Sequence, residues 1–205
     1  MAAYFFQLLV LTTVASATAR NISPQAPTPA PSPSSTAVAS FLRASCANTG
    51  IPETCYSILL PYADSFHGSL ARVARAGAGA AVARQRGLMD EFARLMLRGT
   101  GAGRAADMTL ADCYNGQETS DRGAKEMLSY LDRLVAGVGS KEFDEQVWWA
   151  GQWLSSSDMI MCVDWFNMLG EAVVSSPVVQ EVIVGSNDLY SYMHMGLILT
   201  LSIKF

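Results

Sequence analysis

The chain has 205 residues, 50% hydrophobic and 16% charged, with a formal net charge of −4 and a sequence pI near 5.1. That length holds about one domain once tails are subtracted. An acidic balance with no basic stripe gives nucleic-acid binding no electrostatic footprint.

The first element in chain order is MAAYFFQLLVLTTVASATA, an uncharged stretch over residues 1–19. Its apolar run from Tyr4 to Val14 is followed by the small-residue pairs Ala15/Ala17 and Ala17/Ala19, the pattern of a secretory signal peptide with an A-x-A cleavage site. The run is shorter than the ~20 residues that span a bilayer, so stable membrane insertion is not expected. Residues 20–36 alternate Pro with Ala, Ser and Thr, which removes backbone donors and favours an extended linker over a packed core. Asn21-Ile22-Ser23 is a formal glycosylation triplet, making Asn21 a candidate site.

From Ala37 the apolar period turns helical, and residues 37–205 form the predicted domain. Val38, Phe41 and Leu42 open it. Tyr56, Leu59, Ala63, Phe66, Leu70 and Val73 continue the spacing past a break at Gly50-Ile51-Pro52, so a short helical hairpin is expected first. Pro52 suits the first turn of the second arm, where its missing N–H costs nothing. Four longer segments follow: Ala71 to Arg98, Leu110 to Val138, Glu142 to Val174 with an interruption at residues 155–158, and Val178 to Leu201. The first has a weak part, AGAGA at residues 76–80, where each glycine costs about 1 kcal/mol against alanine. Gly99 to Asp107 is the predicted loop after it. No strand alternation appears. The fold class is therefore all-α, an antiparallel up-down four-helix bundle behind an N-terminal helical hairpin.

An oxidising export route favours disulfides among the four cysteines Cys46, Cys55, Cys113 and Cys162. The Cys46–Cys55 spacing is too long for a zinc knuckle and there is no C-x-x-C. Neither His67 nor His194 falls in a ligand pattern, so no metal or other cofactor is expected. Four cysteines allow three pairings. A Cys46–Cys55 bridge would close the hairpin, and a Cys113–Cys162 bridge would join neighbouring antiparallel helices.

No enzyme can be assembled from the remaining chemistry-bearing residues. The two histidines stand alone in apolar neighbourhoods, where a structural role is expected. Asp64, Asp112, Asp158 and Asp164 fall on different segments, as caps or solvated groups rather than a paired-carboxylate site. Ser155 to Ser157 lack the turn that exposes a nucleophile. Two of Trp148, Trp149 and Trp153 are expected to face the core and one to be exposed, as a partner anchor or a platform for sugar. The late methionines Met159, Met161, Met168, Met193 and Met195 are expected to fill core. With Met127, Leu131 and Leu134 inward, Glu118 and Arg122 point outward. Gln152 does likewise with Val147 and Leu154 inward, and these three are the candidate partner-binding residues.

Cys46 and Cys55 around their turn, Asp112-Cys113, Cys162 followed by Asp164 and Phe166, and Ser186-Asn187 before Leu189 together resemble the plant invertase and pectin methylesterase inhibitor family, over about Ala37 to Lys204. The resemblance implies sequential disulfides, Cys46 to Cys55 and Cys113 to Cys162. It also implies a secreted, apoplastic protein of the plant cell wall that covers the substrate cleft of pectin methylesterase in a one-to-one complex and performs no chemistry. The alternative target is an acid invertase, cell-wall or vacuolar, and a third reading is a non-inhibitory wall module of the same fold. Invertase-directed members tend to carry a Pro-Lys-Phe element where this chain reads Ser140-Lys141-Glu142-Phe143, which favours pectin methylesterase.

Overall fold

The structure, a computed structural model, describes residues 33–155 and 158–204. The signal peptide, most of the linker and Asn21 lie outside the described residues. So do the side chains of Asp158 and Met159. Helices run α1 (Pro33–Cys46), α2 (Pro52–Leu59), α3 (Leu70–Arg98), α4 (Arg104–Ala136), α5 (Ser140–Leu154), α6 (Asp158–Met168), α7 (Glu171–Val174) and α8 (Pro177–Leu201), with a 3-10 segment Leu60–Phe66 after α2. Among the described residues there is no strand.

Helices α1 and α2 fold against each other and continue into the 3-10 segment, which gives the expected hairpin. Pro52 occupies the first turn of α2. Cys46 and Cys55, Cα atoms 5.7 Å apart, are bonded across the turn, and Thr49 is buried there with its hydroxyl donating to the Cys46 carbonyl at 2.8 Å. Helix α1 starts at Pro33, four residues before the apolar period becomes legible, because Pro33 to Thr36 carry no apolar signal of their own. His67 ends the 3-10 segment in the left-handed region (φ 48°) and is exposed, so its role is in the chain reversal and not in an apolar pocket. Ser69 then starts α3, its hydroxyl accepting from the Arg72 N–H.

The bundle is a ring of α3, α4, the α5–α6 pair and α8. The stretch that reads as a weak part of α3 is its tightest contact. Helix α3 runs unbroken through AGAGA because Ala74, Gly77, Ala78 and Ala81 are buried. A Cβ on Gly196 of α8 would stand 3.5 Å from the Ala78 Cα and 3.0 Å from Leu154, and one on Gly77 would meet Leu199 at 2.6 Å. Absent side chains let the two backbones approach, and the packing gained offsets the helix propensity lost. Met193 and Met195 fill core as expected, whereas Met161 and Met168 are exposed.

Two loops depart from the sequence reading. Helix α4 begins at Arg104, inside the stretch assigned to a loop, because only Gly99, Gly101 and Gly103 need positive φ. The segment after α5 breaks twice: after Leu154, as expected, and again at Gly170 (φ 94°), which separates α6 from α7. The short α3–α4 loop is held by Asp107, whose Oδ1 accepts from the Thr100 N–H and from its hydroxyl, both at 2.7 Å. Ser176, just before α8, donates to the Thr100 carbonyl at 2.8 Å.

Gly196→Val is expected to destabilise the domain by about 1–3 kcal/mol, since a branched side chain would press on the Ala78 backbone; the denaturation midpoint reads it. The hydrogen bonds from the Thr100 backbone and then its hydroxyl hold the Asp107 carboxyl below the usual carboxylate range. A depressed value means that the contribution is intact above the ordinary carboxylate value of 3.8 and is lost as pH falls through the lower folded value. Amide exchange at Thr100 and Ala102 should therefore stay protected from neutral pH down to mild acid and open only in stronger acid, while Asp107→Asn should weaken protection from neutral pH to mild acid and so flatten the pH dependence.

Candidate functional site

Helices α4 and α5 form an antiparallel pair, and Cys113 of α4 is bonded to Cys162 of α6, Cα atoms 5.3 Å apart. Both disulfides thus take the sequential pairing, and there is no free cysteine among the described residues. Ser186 of α8 is buried beside this bond, its hydroxyl 3.8 Å from the Cys162 sulfur. Gln85 of α3 donates to the Gln117 carbonyl and side-chain oxygen of α4, both at 3.2 Å, a buried polar link that sets the register of the two helices.

The inward face of α5 is Gln146, Ala150 and Leu154, at four-residue spacing. That choice leaves Trp148 and Trp149 outside, 53% and 45% exposed. Trp153 alone packs against the core, its indole N–H donating to the Ser120 carbonyl of α4 at 2.9 Å. Two exposed indoles and one inward replaces the expected two inward and one out. The reason is that a helix turns 100° per residue, and the small Ala150 and the Arg133-bonded Gln146 occupy the inward arc that apolarity would have assigned to tryptophan. Spacing by four from Leu154 was the available signal. Gly123 also acquires a reason: a Cβ there would stand 3.1 Å from the Trp153 ring.

The two exposed indoles lie next to a groove of about 470 Å³ between α4 and α5, lined by Gly123, Glu126, Met127, Tyr130, Trp149, Gln152 and Trp153. Tyr130 and Trp149 have near-parallel rings, 21° apart with centroids at 6.4 Å, and Trp148 meets Trp149 nearly edge-on at 4.5 Å. The Tyr130 hydroxyl donates to Glu126 at 2.7 Å, and that bond first, then desolvation and the carboxylate charge, holds the phenol protonated beyond its ordinary range. Arg133 lies 5.7 Å from the Tyr130 ring centroid.

Of the three residues singled out from sequence, Gln152 lines this groove. Glu118 and Arg122 are exposed on α4, two turns and one turn before Glu126 on the same stripe, and Arg122 bonds Thr119 at 3.0 Å. Tyr130, Trp148 and Trp149 were not singled out together, because their proximity joins two helices. Among the described residues no cluster of acidic, histidine and cysteine side chains could hold a metal ion, and no helix is long and apolar enough to cross a membrane.

No curated protein and no solved structure matches the chain. A family model described as plant invertase/pectin methylesterase inhibitor matches residues 40–196, which spans both disulfides, the α4–α5 pair and most of α8. With a match over more than half of its length, the chain belongs to the plant invertase/pectin methylesterase inhibitor family.

Proposed function

We propose that this protein is a secreted inhibitor of pectin methylesterase, which lays its α4–α5 face over the enzyme's pectin-binding cleft in a one-to-one complex and so modulates pectin esterification in the cell wall. The family supports an inhibitor of an enzyme of one of its two target classes and no chemistry of its own. The observation that carries the reading to this face is the adjacent pair Trp148 and Trp149, half exposed on a rigid helix. Large exposed aromatics are the side chains that most often dominate interface energetics. Gln152 lines the groove beside Trp149, and Glu118 and Arg122, farther along the exposed stripe of α4, extend the face with polar contacts. Export through the signal peptide places the protein in the apoplast, where its two disulfides persist.

Ser140-Lys141-Glu142-Phe143, at the start of α5, lacks the proline of invertase-directed members and favours pectin methylesterase over acid invertase. The two targets separate in paired assays, one of pectin de-esterification and one of sucrose hydrolysis, at mildly acidic pH. Oxidised protein is expected to abolish the first activity at equimolar ratio and leave the second unchanged. Loss of the second alone makes it an invertase inhibitor, and loss of neither makes it a non-inhibitory wall module. Trp148→Ala is expected to raise the inhibition constant at least about tenfold, read from the dose dependence.

A further inference from the structure

The groove beside the tryptophans has a composition that a protein partner alone does not require. Its aromatic side chains come from two helices, with Tyr130 of α4 and Trp149 of α5 within 21° of parallel and Trp148 meeting Trp149 nearly edge-on. Hydrogen-bonding groups stand at its edge. Gln152 is exposed and its side-chain amide carries no hydrogen bond among the described residues, so it offers two donors and an acceptor. Glu126 spends one carboxylate oxygen on the Tyr130 hydroxyl and keeps further acceptor capacity. The volume, about 470 Å³, lies in the range of small-molecule sites.

A half-exposed indole bordered by an uncharged amide and a carboxylate acceptor matches the pyranose ring of a sugar. The C–H groups on one face of a pyranose carry partial positive charge and lie on the negative face of an aromatic ring. The hydroxyls around the same ring need donors and acceptors in its plane. Charge then selects among sugars. Among the described residues Glu126 is the only acidic or basic side chain lining the groove; Arg133, near Tyr130, does not line it. A carboxylate on the ligand placed beside Glu126 would meet a like charge, a repulsion that neutral sugars avoid.

We infer that the α4–α5 groove is a binding site for neutral pyranose chains, with Trp149 and Tyr130 as the stacking surface and Glu126 and Gln152 as hydroxyl ligands. The site goes beyond the inhibitor reading and does not depend on it, since the sugar is bound by the free protein. In a wall whose uronic acids exist as methyl esters and as free acids, the site prefers the esterified form.

Indole N–H resonances of the isotopically labelled, oxidised protein test this without any enzyme present, because its four tryptophans give separate signals. The probes are a methyl-esterified oligogalacturonide, the same oligomer de-esterified, and a cello-oligosaccharide of equal length. The esterified and cello-oligomers are expected to shift the Trp148 and Trp149 signals saturably, leave Trp165 in place, and bind several-fold more tightly than the free acid. Trp149→Ala is expected to weaken binding about tenfold, with an unmoved Trp165 signal and an unchanged denaturation midpoint reporting an intact fold. Absence of shifts with the wild-type protein, shifts confined to Trp165, or equal or tighter binding of the free acid would overturn the inference. Inhibition assays stay separate from this result: a protein that inhibits and binds no sugar loses only this site, and one that binds sugar and inhibits nothing loses only the inhibitor reading.

Discussion

The bond between Cys113 and Cys162 is the constraint on which the functional surface depends. Its sequence separation is 49 residues, and the loop it closes contains most of α4, all of α5 and the start of α6. Every residue of the candidate face, from Glu118 and Arg122 through Tyr130 to Trp148, Trp149 and Gln152, lies inside that loop. In the chain-entropy model such a closure stabilises by roughly 4 kcal/mol, and the short Cys46–Cys55 closure by somewhat less than 3. The larger contribution falls on the element that would meet a partner. A surface fixed before encounter loses less side-chain and backbone freedom on binding, which leaves more of the contact energy as affinity.

Small residues do the complementary work in the interior. Gly77, Ala78 and Gly196 bring α3 and α8 together, and Gly123 leaves room for the Trp153 ring between α4 and α5. Close backbones leave little room for large side chains along those seams. In α5 the inward arc is taken by Gln146, Ala150 and Leu154, so two of the helix's three tryptophans remain outside. An adjacent pair of half-exposed indoles is rarer than isolated surface apolar residues and calls for a ligand or partner. Tight packing within and aromatic exposure without are two consequences of one pattern of residue sizes.

The ion pairs play a lesser part. Arg75 with Asp132 and Arg86 with Asp121 join α3 to α4, and Arg98 with Glu181 joins α3 to α8, all with at least one substantially exposed partner. Exposed pairs of this kind contribute about 0–1 kcal/mol each. They select register among helices that apolar packing and the two disulfides already hold, and they are arranged away from the groove that the aromatic residues line.

Much of the molecule was legible in its sequence because the information is local. Apolar spacing gave the hairpin and the four long segments, Pro52 and Ser175-Ser176-Pro177 gave element starts and stops, and the cysteines in their order carried the family resemblance. Outward positions for Glu118, Arg122 and Gln152 followed from the same helical arithmetic. What failed was whatever depends on a neighbour. AGAGA reads as weak until α8 is laid against it, Gly123 shows only its cost in helix propensity until Trp153 needs the space, and two of the three tryptophans read as core because apolarity alone cannot report that Gln146 and Ala150 already face inward. Tyr130 comes within 6.4 Å of Trp149 only because α4 and α5 turn back on each other. Periodicity along one helix fixes which way a side chain points relative to its own axis; only the packing of helices decides what it finds there.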